Sequence, residues 1–169
     1  MTTDQILPES VQRVAGLLRD MGHPSRIVML PESGKTSAEA AAGLGCSIGE
    51  IAKSIVFRRL SDNVAVMVVT SGINRVDEKK VAALVGALGK ADAKFVREKI
   101  GYAIGGVSPV VHTEKSVMLI DQDLMHYPAV WAAAGHPRAV FSLSPAQLQA
   151  MTADPVADVA EMTDVKAGV

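Results

Sequence analysis

The sequence predicts an α/β fold of the α+β type, in which a mixed, mostly antiparallel β-sheet or barrel-like core is surrounded by helices. Three observations lead to this prediction. Short segments with strand and helix patterns are interspersed along the chain. Several strand segments are joined by links of hairpin length, which pair strands antiparallel. Two helices also follow each other directly over residues 76–99, a grouping typical of α+β proteins.

The first half of the chain is predicted to begin with an amphipathic helix over 9–21, whose apolar residues recur at helical spacing and which Gly22 can end. Capping boxes that begin at Thr36 and Ser47 open an alanine-rich helix and a single helical turn. The other predicted elements are a strand over 26–30, a loop over 31–35, and strands over 51–58 and 64–70 joined by a hairpin turn at 61–63.

The second half is predicted to alternate helices and short strands around a glycine-rich loop. Asp92 and Ser144 are in N-cap positions, and Pro145 fits the first helical position after Ser144. In chain order we expect a loop at 71–74, helices over 76–85 and 93–99, a strand over 102–104, a strand over 117–121, a helical turn over 128–134, a strand over 139–143, a helix to about 151 and an edge strand over 156–159.

Length and composition favour one folded domain over residues 1–169. A chain of 169 residues can bury about two thirds of its unfolded surface. Apolar residues make up 49% and charged residues 21%, a globular balance. No linker, internal repeat or low-complexity segment divides the chain. The last residues, from about 163 to 169, are expected to be a frayed tail.

The rare residue types exclude disulfide and metal frameworks. The single cysteine, Cys46, cannot form an internal disulfide. We expect it to be a small packing residue, with a reactive thiol as the alternative. The four histidines are scattered singly, so we predict neither a metal site nor a cofactor.

Targeting signals are not evident in the sequence. Residues 1–8 lack a basic region followed by an apolar run, so they do not read as a signal peptide. No apolar stretch approaches the roughly 20 residues that span a bilayer. A cytoplasmic protein without a membrane partner is therefore expected.

The charge distribution is uneven although the net charge is only −1. Residues 75–115 hold 8 basic side chains against 5 acidic ones, whereas residues 116–169 hold 2 against 6. The middle of the chain is thus the best candidate to face a polyanion. The alternative is a set of solvated helix faces.

Four segments could carry chemistry. Lys53 lies where a helical turn passes into an apolar strand, so it either reaches the surface or points into a pocket. The loop Gly105-Gly106-Val107-Ser108-Pro109 suits close approach of a ligand to the backbone, although an ordinary turn is the alternative. Ser71-Gly72 and Gly135-His136 are either pocket walls or exposed loop residues. No nucleophile elbow, HExxH motif or pair of carboxylates on one helix face is present.

Together and in order, these segments resemble the YbaK family, which includes the editing domain of bacterial prolyl-tRNA synthetase and its free-standing relatives. The resemblance runs from about Val11 to Glu161, and its most specific part pairs residues 49–57 with residues 101–109. It implies a mixed, mostly antiparallel sheet wrapped by helices and hydrolysis of the ester that joins a wrong amino acid to tRNA. In one departure, Val111 stands where many relatives have Gly, which leaves the loop exit and the acyl pocket open to a different shape.

The resemblance implies a site, a substrate and partners. The implied catalytic positions are Lys53, Gly106 and Ser108. The implied substrate-binding positions are Gly105, Val107, Pro109, Ser71, Gly72, Gly135 and His136. Arg75, Lys79 and Lys80 are the expected tRNA contacts. The substrate is a mischarged tRNA carrying a small amino acid such as Ala, Ser or Cys, and prolyl-tRNA synthetase or another synthetase is a candidate partner. The oligomeric state, monomer or homodimer, is left open.

Two other functions are compatible with the residues. A non-catalytic module could hold aminoacyl-tRNA or a synthetase without cleaving anything. A Schiff-base enzyme could use Lys53, but the sequence has no phosphate-binding motif for a pyridoxal cofactor that would support this hypothesis.

Overall fold

The computed structural model describes residues 7–23, 26–31 and 36–162. Within these ranges the chain forms five α-helices and eight strands, joined by loops and short 3₁₀ turns. The helices are α1 (Glu9–Asp20), α2 (Ser37–Leu44), α3 (Glu78–Val85), α4 (Ala93–Lys99) and α5 (Pro145–Thr152). The strands are β1 (Val28–Met29), β2 (Ile51–Arg59), β3 (Ala65–Ser71), β4 (Leu88–Lys90), β5 (Val117–Asp121), β6 (Val130–His136), β7 (Ala139–Leu143) and β8 (Val156–Ala157).

All eight strands belong to one sheet with the order β1-β7-β6-β2-β3-β5-β8, while β4 pairs with part of β2. The β1–β7, β2–β3, β2–β4 and β6–β7 pairs are antiparallel, and the β2–β6, β3–β5 and β5–β8 pairs are parallel. The predicted fold, a mixed and mostly antiparallel sheet surrounded by helices, is confirmed. The order has two ends, β1 and β8.

The β2–β3 hairpin is the longest ladder and follows from local sequence. Seven residue pairs run from Ala52↔Ser71 to Arg58↔Ala65. Asn63 turns the chain with a positive φ of 61°, a conformation that Asn tolerates better than most residues. The predicted hairpin turn at 61–63 is thus confirmed.

The predicted helix caps are also present. The Thr36 and Ser144 hydroxyls accept hydrogen bonds from the third residue of their helices, Glu39 and Gln147, whose side chains bond back to the cap backbone. The Asp92 carboxylate caps α4 by accepting from the Phe95 N–H. These caps fix helix starts through contacts within four residues, which is why the sequence predicts them.

Two predicted elements are wrong, and one strand was missed. Residues 128–134 were expected to form a helical turn, but Val130–His136 is strand β6. Pairing with β7 and β2 outweighs the helix propensity of its alanines. Residues 102–104 form a bend and a turn instead of a strand, because Tyr102 is buried and bonds to the Val110 carbonyl. β4 has only three residues and no periodic pattern, so only its pairing with β2 reveals it.

Other predictions differ only in length or cannot be compared. The first strand has two residues instead of five, and the last strand ends at Ala157. Most of the predicted loop over 31–35 and the predicted frayed tail over 163–169 lie outside the described residues.

The core lies on both faces of the sheet. Alternate residues of β2 serve the two sides: Ala52 and Val56 pack in the largest cluster with α1, whereas Ile51 packs in a second cluster with α2. Successive strand side chains point to opposite faces, so Lys53 lies on the α2 side and Ser54 on the side of the large core. This alternation places the two residues in different surroundings.

Candidate active site

One edge of β2 is interrupted. On that edge β2 pairs with β6 at Ile51 and Ala52 and with β4 from Phe57 to Arg59. Residues 53–56 therefore have no strand partner on that side within the described part of the chain. The gap opens because the pairing of β6 with β2 stops at Ala132. Beyond Ala132, β6 pairs only with β7, and a register irregularity lies between Ala133 and His136.

A cavity of about 250 Å³ occupies this gap. Its walls are mainly apolar, and its only charged side chain among the described residues is Lys53. The lining comes from α2, β2, β6, β7 and the loop before Val107: Leu30, Thr36, Ser37, Ala40, Ile51, Ala52, Lys53, Ser54, Ile55, Ile104, Gly105, Val107, Trp131, Ala133, Pro137, Ala139 and Val140. The structure thus brings Lys53 together with part of the predicted glycine loop.

Lys53 is half-buried in this cavity, and its ammonium has no hydrogen bond or ion pair with a described residue. Burial lowers the pKa of its ammonium from the ordinary value, and the nearby positive charge of Arg75 lowers this pKa further. The Arg75 guanidinium is likewise without an ion pair to the described residues. Lys53 has no counter-charge in the described cavity lining, so the cavity suits an anion, and the charge of Arg75 acts on Lys53 from outside that lining.

The turn that carries Arg75 is held in place by a buried carboxylate. Asp121, fully buried at the end of β5, accepts hydrogen bonds from the Thr70 hydroxyl (2.9 Å), the Ser71 N–H (3.1 Å) and the Asn74 side-chain amide (2.8 Å). Buried polar groups with several partners hold their segment rigidly. The turn that leads to Arg75 is therefore held in place before any ligand arrives.

The predicted pocket wall Ser71-Gly72 lies outside the cavity lining but supports it. The Ser71 hydroxyl donates to the Gly49 carbonyl at 2.7 Å. A Cβ on Gly72 would lie 2.4 Å from the Ile48 carbonyl oxygen and 2.8 Å from the Cβ of Ser37, which does line the cavity. Gly72 thus permits the close contact between this turn and α2.

The loop at residues 105–109 forms part of the cavity wall, on the side of the sheet where the largest hydrophobic cluster lies. Gly105, with a positive φ of 100°, and Val107 line the cavity. Neither backbone N–H has a partner among the described residues, so both are available to a ligand. The Gly106 N–H, in contrast, donates to the Ala103 carbonyl at 3.1 Å. Gly106, a predicted catalytic position, makes close packing contacts here and offers no free donor.

The Gly135-His136 segment packs against this loop, outside the cavity lining. A Cβ on Gly106 would stand 2.7 Å from the His136 Cα, so the two backbones are in direct contact. The His136 Nδ1 accepts from the Arg138 N–H at 3.1 Å, and the ring lies outside the cavity lining. Gly135 is buried, with φ of 98°, and its carbonyl accepts from the Ser10 hydroxyl. Pro137, which the sequence did not single out, is the residue of this segment that lines the cavity.

Ser108 and Pro109 are buried on the far side of the loop and do not line the cavity. The Ser108 hydroxyl accepts from the Val110 N–H at 3.3 Å. The Tyr102 hydroxyl donates to the Val110 carbonyl at 2.7 Å, and burial raises its pKa to about 12. In this position the Ser108 side chain holds the loop and does not face the space that a substrate would occupy.

The exit of the loop keeps a glycine-like backbone even though Val111 is there. Val111 has a φ of 61°, which is a strained conformation for a β-branched residue. His112 follows and donates from Nε2 to the Ser108 carbonyl at 2.8 Å, and burial lowers the pKa of its imidazole. Val111 lies outside the lining of the main cavity, so its side chain forms no part of that wall.

The three predicted tRNA contacts have different surroundings. Arg75 and Lys79 are exposed, and neither side chain is paired with a described residue. The Lys80 ammonium bonds to the Asp158 carboxylate at 3.1 Å and to the Ala160 carbonyl at 2.8 Å. Lys80 is therefore occupied in joining α3 to the C-terminal segment, and Arg75 and Lys79 are the free cations of the set.

The described residues contain no group of three His, Cys, Asp or Glu side chains that could hold a metal ion. Within the same ranges, none of the helices is long and apolar enough to cross a bilayer. Cys46 is half-buried beside α2, and burial, followed by the charge of Glu50, raises the pKa of its thiol.

Residues 31–151 match the family model of the aminoacyl-tRNA editing domain. The chain belongs to this family. The resemblance identified from residues 49–57 and 101–109 is thereby confirmed. These two segments lie across the cavity from each other, so the most specific sequence signal and the structural site coincide.

Three relatives show how far the similarity of this editing domain extends. The uncharacterized protein YwhH of Bacillus subtilis (strain 168) is 31% identical over 117 residues, which span 69% of this chain and 74% of that protein. A solved structure described as a candidate trans-editing enzyme for prolyl tRNA synthetase is 43% identical, with a TM-score of 0.86 and coverage of 93% of this chain and 100% of that one. Hypothetical protein APE2540 is 31% identical, with a TM-score of 0.79 and coverage of 88% and 99%.

Sequence reasoning missed several wall residues of the editing domain. Trp131, Ala133 and Pro137 line the cavity, but the segment that carries Trp131 and Ala133 was predicted to be helical, and Pro137 was not predicted as a site residue. Ser54 was quoted only as part of a motif, although it lines the cavity beside Lys53. Residues 130–134 are all apolar and show no apolar–polar alternation, so the period of two in their burial is visible only in the structure.

Proposed function

We propose that this editing domain is a trans-acting deacylase that hydrolyses the ester between tRNA and a wrongly attached small amino acid. The observation that carries the proposal is the unpaired Lys53 ammonium in a mainly apolar cavity, which Gly105 and Val107 also line and whose charge Arg75 influences. This arrangement offers a site for an anion and donors for a polarised carbonyl within one small space.

The two cations suit the phosphate of the terminal nucleotide. A phosphodiester carries one negative charge, and Lys and Arg bind such groups by charge-assisted hydrogen bonds. Lys53 holds its charge in a half-buried position, where electrostatic attraction is stronger than in water. Anchoring the phosphate at Lys53 and Arg75 would leave the attached amino acid to enter the apolar part of the cavity.

The chemistry needs no side-chain nucleophile. A water molecule attacks the ester carbonyl, the bond from the acyl carbon to the ribose oxygen breaks, and the released ribose oxygen takes a proton. The products are the free amino acid and tRNA with its terminal hydroxyl restored. The developing negative charge on the carbonyl oxygen can be stabilised by the N–H groups of Gly105 and Val107 and by the Lys53 field, and loss of one such donor typically costs about 3–4 kcal/mol.

The cavity favours small acyl groups. A volume of about 250 Å³ has to hold the amino acid and part of the ribose. Interiors transmit strain and tolerate little overpacking, so a large side chain would have to displace β6 or the loop. One methylene group changes the binding free energy of a substrate by only about 1–3 kcal/mol, so attraction alone discriminates poorly between similar amino acids. Steric exclusion of larger side chains adds to this discrimination.

The proposed tRNA is one charged by prolyl-tRNA synthetase or a related synthetase. Support comes from the 43% identical relative that is described as a candidate trans-editing enzyme for that synthetase and whose whole chain is covered. The alternative, a module that binds aminoacyl-tRNA without cleaving it, would use the same cations. The backbone N–H groups of Gly105 and Val107, which have no partner among the described residues, favour the hydrolase, because binding a phosphate does not require donors in this loop.

The test is a deacylation assay on a panel of mischarged tRNAs with the wild type, Lys53→Ala and Lys53→Arg. We expect hydrolysis of at least one small aminoacyl ester by the wild type and loss of at least about 100-fold in both variants. Arginine should fail because its planar fork does not replace a compact ammonium. Lys90→Ala, which removes an exposed lysine on β4, is the matched control. Near wild-type activity in Lys53→Ala would contradict the assignment, and tRNA binding without any hydrolysis would favour the binding module.

A further inference from the structure

The Ser54 hydroxyl is buried and has no hydrogen-bond partner. Ser54 lines the cavity, whose other polar side chains among the described residues are Thr36, Ser37 and Lys53. A buried hydroxyl without a partner is destabilising, so its presence calls for an explanation. Rotation about the Cα–Cβ bond carries the hydroxyl between three staggered positions, which lets it turn to a ligand atom in the cavity.

The backbone of Ser54 is also unpaired at the open strand edge. The Ile51 carbonyl accepts from the Gly72 N–H, and the Arg59 N–H donates to the Val64 carbonyl, so odd-numbered residues of β2 direct their polar groups toward β3. Ser54 therefore directs its N–H and C=O toward the opposite edge. This is the edge where residues 53–56 lack a strand partner among the described residues.

The side chains of Lys53 and Ser54 lie on opposite faces of the sheet, so the two sides of the cavity differ in chemistry. Lys53 lies on the face of the sheet that packs against α2, together with Ile51 and Trp131. Ser54 lies on the opposite face with Ala52, in the same core region as Val107 of the loop. A substrate that crosses the open edge would meet the cation on one side and the Ser54 hydroxyl with the loop donors on the other.

Electrostatics fixes the orientation of an aminoacyl group in this space. Its α-ammonium is repelled by Lys53 and Arg75, and the described lining contains no Asp or Glu that could attract it. The Ser54 carbonyl, which points toward the open edge of β2, is an acceptor for this ammonium. With the ammonium there, the first atoms of the side chain lie within reach of the Ser54 hydroxyl.

We propose that Ser54 selects, through its side-chain hydroxyl, a small amino acid whose own side chain carries a hydroxyl group. The proposal rests on the deacylase function proposed above and narrows its substrate to seryl esters and their close analogues. An apolar pocket distinguishes a hydroxyl from a methyl group poorly, but a site with a buried polar partner rejects an analogue that leaves the partner unpaired. Ser54 thus acts as a specificity-determining residue.

The experiment compares two esters of nearly equal size on one tRNA, the seryl ester and the 2-aminobutyryl ester, which has a methyl group in place of the hydroxyl. We expect wild-type kcat/KM to favour the seryl ester by at least about 10-fold, and Ser54→Ala to bring the ratio close to one. Both esters are measured with the same preparation, so a partly misfolded variant lowers both rates and leaves their ratio unchanged. Ser61→Ala, in the exposed hairpin turn, is the control and should keep the wild-type ratio.

The outcomes separate this inference from the proposed function. If the wild type cleaves the 2-aminobutyryl ester as fast as the seryl ester, or if Ser54→Ala keeps the wild-type ratio, the role of Ser54 is wrong while the deacylase function stands. If the wild type cleaves no ester in the panel, the deacylase function itself fails. A fall in the ratio confined to Ser54→Ala supports the inference.

Discussion

Gly106 lies against the backbone of His136, so closely that a Cβ on Gly106 would stand 2.7 Å from the Cα and the carbonyl carbon of His136. Contacts this short do not occur for real Cβ atoms, and backbone atoms cannot swing aside as a flexible side chain can. The contact joins the substrate loop to strand β6, and it exists only because residue 106 has no side chain.

Gly106→Ala should therefore displace the loop and slow the hydrolysis of every ester. We expect kcat/KM to fall at least about 10-fold for small and larger acyl groups alike, because the added methyl meets His136 and not the cavity. Steady-state kinetics on two esters of different size measure this. Gly16→Ala, in α1, is the control, since its Cβ would meet only the end of the Arg19 side chain at 3.8 Å. A loss restricted to the larger ester would show that the methyl enters the cavity.

The alkaline limb of the activity profile should report on Lys53. Its pKa is lowered by burial and then by Arg75, so the ammonium loses its proton at a lower pH than an ordinary lysine does. Activity is expected to fall as pH rises through this lowered pKa. Arg75→Gln removes the neighbouring charge and should move the falling limb to higher pH. Rates corrected for spontaneous ester hydrolysis measure the shift, and an unmoved limb would mean that Lys53 is not the titrating group.

Lys53 should also reduce the stability of the fold. Because its folded pKa lies below its unfolded pKa, the unfolded chain binds more protons between the two values, and stability rises with pH in that alkaline interval. At pH values below this interval, the charged, half-buried ammonium lowers the free energy of unfolding. Lys53→Met should thus be at least as stable as the wild type at neutral pH while losing activity. Urea unfolding measures this against Lys90→Met, and a clearly destabilised Lys53→Met would show that the ammonium has a stabilising partner.

Arg75 and Lys80 should differ in their effects on tRNA binding. Arg75 is free and adjacent to Lys53, whereas Lys80 is bonded to Asp158 and Ala160. Arg75→Gln should weaken tRNA binding and reduce the slope of log K against log salt by about one. Lys80→Gln should leave that slope unchanged. Binding titrations at several salt concentrations decide between them, and equal slope changes would place Lys80 on the tRNA surface as well.

Acyl size should limit the reaction. In a series of Gly, Ala, Ser, Thr, Cys, 2-aminobutyryl, Pro and Phe esters on one tRNA, we expect rapid hydrolysis of the small members and almost none of the phenylalanyl ester. The reason is the 250 Å³ cavity, whose walls are strands and a loop held by backbone contacts. Competition assays measure the series. Comparable hydrolysis of the phenylalanyl ester would show that exclusion by size is the wrong account.

The sequence by itself determined the features that depend on neighbours in the chain. The β2–β3 hairpin follows from two apolar runs around a turn, and the helix starts follow from capping residues within four positions. Lys53 and the 105–109 loop were identifiable because both belong to contiguous, specific segments. Residues 128–134 show the limit of such reasoning, since their alanines favour a helix locally but pairing with β7 and β2 makes them a strand.

Only the tertiary structure decided which of the chosen residues face the cavity. Ser108 and Pro109 are consecutive with Val107, yet the loop turns them toward Tyr102 and the core, while Val107 lines the cavity. Arg75 comes beside Lys53 because Asp121, about fifty positions away, holds the intervening turn. The unpaired edge at Ser54 is the part of β2 that lies between its pairing with β6 and its pairing with β4. Each of these relations depends on pairing and burial between distant segments, and local propensity does not encode such contacts.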